Sequence, residues 1–395
     1  MAARCLLGVL AKGSACTFGA PEETPLKRET MIVIFKPTLA CNLRCAHCSS
    51  SSNEGTVMSV ENARKILSEL PARSEVVLHG GEPTLAGADY LGAITEGFEG
   101  LLFSMQTNLT LVDETFIPFV HEVLGCRVST SFDPFGEARP VSEAVWDRKI
   151  NLLRRNGIRP YVVSLLYLGG GGRGKEIYGF FSRKGLSFRL NAVERVGVAA
   201  AGFSGLRHSN GEYAQALKDI FDTWFMGEDR IRVDPCAEIL SSFIMGNSGL
   251  KCPFTSKCAF HFIGIEPSGQ VLPCGAWTGM GKAAFSYGNA LRRPLSEVLL
   301  SSSARAALQR RPVELPDRCG ACRWLSLCNG GCQLEAYSYY NNTGRETSLC
   351  SDYQEIFEHI ESRLQREKGN VGTWLAERLG RSRILAGPDA ASGKE

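Results

Sequence analysis

Short apolar runs alternate with amphipathic segments along the first half of the chain. Residues 32–35 form an apolar run with β-branched side chains, which predicts a buried strand. In residues 59–70 the apolar side chains recur at helical spacing behind Ser59, a residue type suited to the N-cap of a helix. Residues 75–78 predict the second strand. Further strands are predicted near residues 101–106, 127–132, 160–166 and 187–192, with helices between them that include 142–155 and 175–184.

This alternation of strand and helix repeats about six times and predicts an α/β fold, in which outer helices cover a parallel sheet. In folds of this kind the functional loops leave the carboxyl ends of the strands. Two unusual segments directly follow predicted strands: the cysteine-containing stretch at 41–48 and the sequence HGGEP at 79–83. Both segments are therefore expected at the same edge of the sheet.

Changes in composition divide the chain into five predicted regions. From about residue 250 onward, cysteine, glycine and proline are frequent and long periodic segments are scarce, which is typical of a small module stabilised by metal ligation. The regions are a flexible lead-in at 1–30, the sheet domain at 31–210, a helical linker at 211–250, the cysteine-rich module at 251–352, and C-terminal helices with a tail at 353–395.

Composition narrows the class of protein. Of the 395 residues, 44% are hydrophobic and 22% are charged, and the net charge is +3, a balance that gives no sign of nucleic-acid or membrane binding. No stretch approaches the roughly 20 apolar residues of a membrane span, and the N-terminal apolar run is too short for a signal peptide, so we expect a cytoplasmic protein. In a reducing compartment, 15 cysteines at short spacings favour metal ligation over disulfides.

The first cysteine group is Cys41, Cys45 and Cys48, with the spacing C-x3-C-x2-C. Iron–sulfur clusters are normally held by four thiolates, so three thiolates would leave one iron of a 4Fe–4S cluster open to another ligand. A three-thiol zinc site or an incidental grouping is the alternative. The HGGEP segment favours the cluster, because glycines let the backbone approach a ligand and carbonyl and carboxylate oxygens accept hydrogen bonds from an ammonium group.

These two motifs resemble those of the radical S-adenosylmethionine superfamily. The resemblance implies a partial (β/α)6 barrel of the TIM type, which binds S-adenosylmethionine at the open iron and cleaves it reductively to a 5′-deoxyadenosyl radical. The family usually has an aromatic residue at the position of His47. The resemblance further implies that Gly80, Gly81, Glu82 and Pro83 bind the amino group of the methionine moiety.

Two shorter segments are also similar to segments of the peptide-modifying branch of this family. Residues 106–108 are QTN, and residues 131–133 are SFD where the branch has SLD. The resemblance assigns Asn108 and Ser131 to cofactor contacts, with Ser131 on the ribose, and adds Arg139 as the arginine that often follows. Capping of the strand ends is the alternative interpretation for both segments.

The second cysteine group has eight members. Seven match the pattern of the SPASM domain, an extension of peptide-modifying radical enzymes, and Cys252 adds the eighth, as in the anaerobic sulfatase-maturating enzymes. The resemblance implies two auxiliary 4Fe–4S clusters, for a total of three. One would be held by Cys252, Cys258, Cys274 and Cys332, and the other by Cys319, Cys322, Cys328 and Cys350. Taken alone, residues 319–332 would suit a tetrahedral zinc site equally well.

The resemblance implies a peptide maturase that crosslinks a ribosomally made precursor peptide through a thioether, a carbon–carbon bond or a similar macrocycle, with flavodoxin or ferredoxin as electron donor. The sulfatase-maturating enzymes have an aspartate, their proposed base, after the cysteine that corresponds to Cys274, whereas this chain has Gly275. This difference favours crosslinking over sulfatase maturation.

Two alternatives remain: radical oxidation or dehydrogenation of a small molecule or protein residue, and a non-enzymatic metal-binding interaction protein. No general base is assigned from the sequence. Four acidic residues near possible cavity edges are interpreted as structural: Asp133, Glu194, Asp234 and Glu335.

Overall fold

The computed structural model describes residues 30–50, 55–201, 211–245, 252–255, 257–280 and 285–367. The predicted lead-in at 1–30 lies almost entirely outside the described residues, as does the predicted tail beyond residue 367. Within the described part of the chain, no helix is both long enough and apolar enough to cross a membrane.

A ten-stranded sheet organises the described residues, in the order β10-β9-β8-β1-β2-β3-β4-β5-β6-β7. Strands β1 to β7 run parallel to their neighbours, β8 lies parallel to β1 on its other side, and β9 and β10 complete an antiparallel edge. The strands are β1 (Ile32–Thr38), β2 (Glu75–Gly80), β3 (Leu102–Thr107), β4 (Val128–Ser131), β5 (Tyr161–Leu166), β6 (Phe188–Ala192), β7 (Val233–Asp234), β8 (Phe262–Ile265), β9 (Gln270–Leu272) and β10 (Gly288–Asn289).

Helices connect the parallel strands and cover the sheet. The first begins as its sequence predicts, because the Ser59 hydroxyl accepts from the backbone N–H of Asn62 at 3.2 Å. The helices are α1 (Val60–Ser68), α2 (Ala88–Thr95), α3 (Ile117–Glu122), α4 (Glu143–Arg155), α5 (Gly174–Arg183), α6 (Val198–Ala201), α7 (Glu212–Met226), α8 (Cys236–Met245), α9 (Cys258–His261), α10 (Leu295–Ser301), α11 (Ser303–Gln309), α12 (Leu325–Cys328), α13 (Gln333–Tyr340) and α14 (Cys350–Arg366).

The predicted fold class is confirmed: β2 to β6 begin and end within two residues of the predicted runs, β1 begins as predicted and ends three residues later, and helices alternate with the strands. Two connections were not expected. The predicted helical linker contains β7 between α7 and α8, and β8 of the predicted cysteine-rich module pairs with β1. The sheet is therefore continuous across both predicted boundaries, because the short apolar run of β8 satisfies the free edge of β1.

Candidate functional site

The first cysteine group lies in the loop that follows β1. Backbone N–H groups donate to two of its sulfurs: Leu43 to Cys41 Sγ and Ser50 to Cys48 Sγ, each at 3.4 Å. Burial raises the pKa of the Cys41 thiol, and raises that of Cys45 to about 11. Thiols in such surroundings become ligands only when positive charge compensates the thiolate, and iron supplies that charge. The loop therefore fits a cluster.

Two glycines let the HGGEP segment pack directly on the chain that leads into this loop. Gly80 has a φ of 129°, and a Cβ there would lie 2.1 Å from the carbonyl oxygen of Thr38. A Cβ at Gly81 would lie 2.2 Å from the carbonyl oxygen of Ala40. The Gly81 N–H donates to the carbonyl oxygen of Thr38 at 3.1 Å, and the Glu82 N–H donates to the carbonyl oxygen of Ala40 at 2.8 Å. Residues with side chains cannot replace these glycines without moving the loop.

The Glu82 carboxylate is buried and both of its oxygens are engaged within the protein. One accepts from the backbone N–H of Thr84 at 3.1 Å and from the hydroxyls of Thr84 and Thr107 at 2.7 Å. The other accepts from the backbone N–H of Asn108 at 2.7 Å. Burial raises the pKa of Glu82, against the effect of these donors. The carboxylate therefore joins the loops after β2 and β3; its contact with the cofactor remains a prediction.

The other predicted contacts lie at the same edge of the sheet. Asn108 donates to the side-chain oxygen of Asn42 at 3.0 Å and lies 3.9 Å from Cys41 Sγ. Ser131, the last residue of β4, accepts from Gln106 at 2.8 Å. These bonds also serve to hold the strand ends, so the cofactor roles of Asn108 and Ser131 remain predictions. Pro83 begins a short 3₁₀ turn, Pro83–Ala86, where its missing N–H is harmless.

A buried network fixes His47 beside the cysteine loop. Arg139 Nε donates to Asp133 at 3.0 Å, and the Tyr167 hydroxyl donates to the same carboxylate oxygen at 2.8 Å. His47 Nδ1 lies 2.8 Å from the Tyr167 oxygen. Burial and Arg139 lower the pKa of His47 to about 4, so the ring is neutral and its Nδ1–H donates to Tyr167. Arg139 also carries a positive charge near Cys45.

The eight C-terminal cysteines fall into two neighbourhoods. Among the described thiols, cysteines that raise one another's pKa belong to the same predicted ligand set. In one set Cys258 and Cys274 raise the pKa of Cys252, and Cys252 raises the pKa of Cys332. In the other set Cys319 and Cys322 act on both Cys328 and Cys350. The thiols that act on one another thus fall within the interleaved grouping that the sequence resemblance implies, and the two ligand sets remain a prediction.

Four of these cysteines line one cavity of about 340 Å³ beside α12 and α14: Cys319, Cys322, Cys328 and Cys350. In the part of the chain that the structure covers, no group of three His, Cys, Asp or Glu side chains is arranged to hold a metal ion. The four thiols instead surround a volume, as ligands of a polynuclear cluster do. Cluster ligation by either set remains a prediction.

Lys36, which sequence reasoning missed, links the barrel to the segment after Cys274. Its ammonium group donates to the Gly275 carbonyl oxygen and to the Thr278 hydroxyl, each at 2.6 Å, and burial lowers its pKa to about 8. A Cβ at Gly275 would lie 2.8 Å from Cγ2 of Ile34, so the position has no room for a side chain. The available signal was a lysine directly after the apolar run 32–35.

Three of the four acidic residues interpreted as structural are hydrogen-bonded: Asp133 to Arg139, Asp234 to Arg232, and Glu335 to Thr347. The fourth, Glu194, follows β6, and we find no hydrogen bond to its carboxylate within the described residues. Burial raises its pKa to about 7, and its charge acts on the neighbouring thiols Cys252, Cys274 and Cys332.

Residues 35–179 match the radical SAM superfamily, and this segment contains the cysteine loop, HGGEP, the end of β1 and all of β2 to β5. These residues of the chain carry a radical SAM domain, which is the domain of an enzyme superfamily. The alternative of a non-enzymatic metal-binding protein is therefore wrong.

Curated relatives share nearly the full length of the chain. The cysteine-type anaerobic sulfatase-maturating enzyme of Clostridium perfringens is 23% identical over 86% of this chain and 98% of its own. The Fe-coproporphyrin III synthase of Methanosarcina barkeri is 24% identical over 82% and 88%, and the PqqA peptide cyclase of Rhodopseudomonas palustris is 22% identical over 85% and 88%.

Solved structures show the same fold. A structure of native anSMEcpe with bound AdoMet and Kp18Cys peptide has a TM-score of 0.72 at 20% identity and covers 86% of this chain and 99% of that one. The crystal structure of Streptococcus suis SuiB bound to precursor peptide SuiA has a TM-score of 0.61 at 15% identity and covers 82% and 76%. The partial-barrel prediction is confirmed.

Proposed function

We propose that this enzyme is a peptide maturase that forms a crosslink within a precursor peptide. When bound, the cluster on Cys41, Cys45 and Cys48 supplies the electron that cleaves S-adenosylmethionine to the 5′-deoxyadenosyl radical, and the auxiliary clusters supply an electron acceptor. The observation that carries the proposal is the presence of this loop together with four cysteines that line one cavity of the C-terminal region, Cys319, Cys322, Cys328 and Cys350.

Peptide substrates are supported by the relatives. Two of the similar proteins are named for acting on a protein or a peptide, and two of the similar structures contain a peptide. The alignments with these two relatives cover most of this chain and most of theirs, so the similarity extends into the cysteine-rich region.

Crosslinking, rather than oxidation of a sulfatase residue, is supported by the surroundings of Gly275. An aspartate in that position would need space that Ile34 occupies, and the Gly275 carbonyl is already bonded to Lys36. The site therefore lacks the proposed base of the sulfatase-maturating enzymes and the room for one. Glu194, whose charge acts on Cys274, is our candidate for the residue that accepts a proton from the substrate radical.

The test is an anaerobic incubation with S-adenosylmethionine, dithionite and one of two peptides: the short peptide encoded beside the gene, or a sulfatase-type peptide. We expect the first to lose two hydrogen atoms for each new bond and to give crosslinked fragments in tandem mass spectrometry. Unchanged mass of that peptide, or conversion of the sulfatase-type peptide instead, would contradict crosslinking.

The role of Glu194 is tested in the same assay with Glu194→Gln. We expect 5′-deoxyadenosine to form while crosslinked product is lost, and in the parent enzyme the product rate should rise with pH through about 7, where the carboxyl loses its proton. Glu61→Gln, on the exposed side of α1, is the matched control. Equal loss in both variants, or full activity of Glu194→Gln, would reject this role.

A small-molecule substrate is the second candidate, and the similarity to Fe-coproporphyrin III synthase favours it. Incubation with an iron porphyrin in place of the peptide separates the two. Modification of the porphyrin with no change in peptide mass would support this second function.

A further inference from the structure

Arg311 is a buried cation in the cysteine-rich region. Its side chain is only 4% exposed. One terminal nitrogen donates to the carbonyl oxygen of Thr343 at 2.9 Å, and the other donates to that of Gly330 at 2.7 Å. Nε is buried and has no hydrogen-bond partner within the described residues. The guanidinium is thus held by neutral acceptors, with one donor unused.

Burial of a guanidinium without a paired anion is strongly unfavourable, so such residues normally have a counter-charge nearby. The carboxylate whose charge acts on Arg311, that of Glu346, is already hydrogen-bonded to Arg345 and Arg318. The other groups near Arg311 that can carry a negative charge are the thiols of Cys319, Cys328 and Cys332, which become thiolates when they bind a cluster. Two of these belong to one predicted ligand set and the third to the other.

A glycine leaves space for the guanidinium of Arg311. Gly330 has a φ of 80°, and a Cβ there would lie 3.0 Å from Nε and Nη2 of the guanidinium. Gly330 stands between Cys328 and Cys332, the segment that contributes a cysteine to each set. A residue with a side chain at position 330 would therefore push the cation away from both sets.

We propose that Arg311 is the charge-compensating residue of the two auxiliary clusters and raises their reduction potentials. The proposal rests on the auxiliary clusters of the proposed function, though not on its substrate. A four-iron cluster with four thiolates is anionic and gains a further negative charge when it accepts an electron. A fixed cation in a low-dielectric interior stabilises the more negative, reduced form. Arg311 thus acts through the reduction potentials of the clusters and is not a catalytic residue.

The test uses the full-length chain with Cys41, Cys45 and Cys48 all changed to alanine, so that every remaining cluster signal comes from the auxiliary sets. Reduction potentials are measured by potentiometric titration followed by electron paramagnetic resonance. Arg311→Gln removes the charge, Arg311→Lys keeps it, and Arg318→Gln is the matched control. Arg318 lies on the same cavity but its side chain is 71% exposed, so solvent screens its charge.

We expect Arg311→Gln to shift the auxiliary potentials to more negative values, more for the set that contains Cys319 and Cys328 than for the other. Arg311→Lys should remain near the parent value, and Arg318→Gln should shift much less. Equal negative shifts in the glutamine and lysine variants, or no shift in either, would overturn the proposal. An equal shift in Arg318→Gln would also overturn it.

If Arg311→Gln does not retain its clusters, the lysine variant decides: a potential near the parent value supports the proposal, and a negative shift refutes it. Absence of iron from the alanine background would refute both the auxiliary clusters and this role of Arg311. The crosslinking proposal is judged separately, by the mass of the peptide.

Discussion

The two cysteine-rich regions of this enzyme are built in opposite ways. The loop at 41–48 is short, and neighbouring strand ends hold it through backbone hydrogen bonds, two tightly packed glycines and the Glu82 carboxylate. The predicted C-terminal ligands are spread over residues 252 to 350; one of the two predicted sets lines a cavity, and a buried arginine, Arg311, lies in the same region. The sheet holds the first site in place before any cluster binds. In the second site, cluster ligation would stabilise the buried thiols and Arg311.

The strongest way to separate the two regions is to remove the first ligand set. Changing Cys41, Cys45 and Cys48 to alanine should abolish formation of 5′-deoxyadenosine, while the melting temperature stays close to that of the parent enzyme. The reason is that the loop is held by the strand ends and not by its cluster. Thermal denaturation and product chromatography check both parts. A large loss of stability would show that the comparison is wrong.

Removal of all iron should affect the two regions unequally. In anaerobically prepared apoprotein, backbone amides of residues 319–332 should exchange with deuterium many times faster than in the loaded enzyme, because burial of their thiols and of Arg311 is then uncompensated. Amides of β1 to β3 should change little. Hydrogen exchange with mass spectrometry measures both, and uniform protection in the apoprotein would contradict the expectation.

A methyl group at Gly81 should disrupt the first region. Gly81→Ala places a Cβ 2.2 Å from the Ala40 carbonyl oxygen, and we expect a loss of about 3 kcal/mol or more in the free energy of unfolding, with weaker binding of S-adenosylmethionine. Gly92→Ala in α2 is the control, since nothing lies within 4 Å of its Cβ position and alanine favours a helix by about 1 kcal/mol. Chemical denaturation gives both values; similar values for the two variants would count against tight packing at Gly81.

Glu82→Gln should have the smallest effect. The amide nitrogen would face N–H or O–H donors from Thr84, Thr107 or Asn108, so we expect a loss of about 1–3 kcal/mol in the free energy of unfolding without loss of the fold. Denaturation of the variant beside Glu61→Gln tests this. A variant as stable as its control would mean that Glu82 does not join the two loops.

The strands could be predicted because they depend on a local pattern, the apolar runs of the sheet. The ligand sets were inferred from cysteine spacing, which is also a local pattern, and remain a prediction. The pairing of β8 with β1 could not be predicted, because register between distant segments is set by which edge is left free. Lys36 and Arg311 were missed for a similar reason. Each is a single charged residue whose meaning depends on partners 239 positions away, at Gly275, or 32 positions away, at Thr343.

The predicted cofactor contacts show the limit of motif reasoning. Glu82 and Asn108 lie at the expected edge of the sheet. In this structure, however, the Glu82 carboxylate accepts from the Asn108 N–H, and the Asn108 amide donates to Asn42. A motif predicts where a residue lies in the fold. Which of its atoms can contact a ligand depends on the hydrogen bonds that those atoms already make within the protein. The electron donor and the cytoplasmic location likewise remain predictions.

The most direct test of a three-cluster enzyme is the metal and sulfide content of the anaerobically purified full-length chain, measured beside the Cys41, Cys45 and Cys48 triple alanine variant. Three four-iron clusters predict about twelve iron and twelve sulfide per parent chain, and about eight of each in the variant. About four iron in the parent and none in the variant, or zinc in the C-terminal sets, would contradict the account.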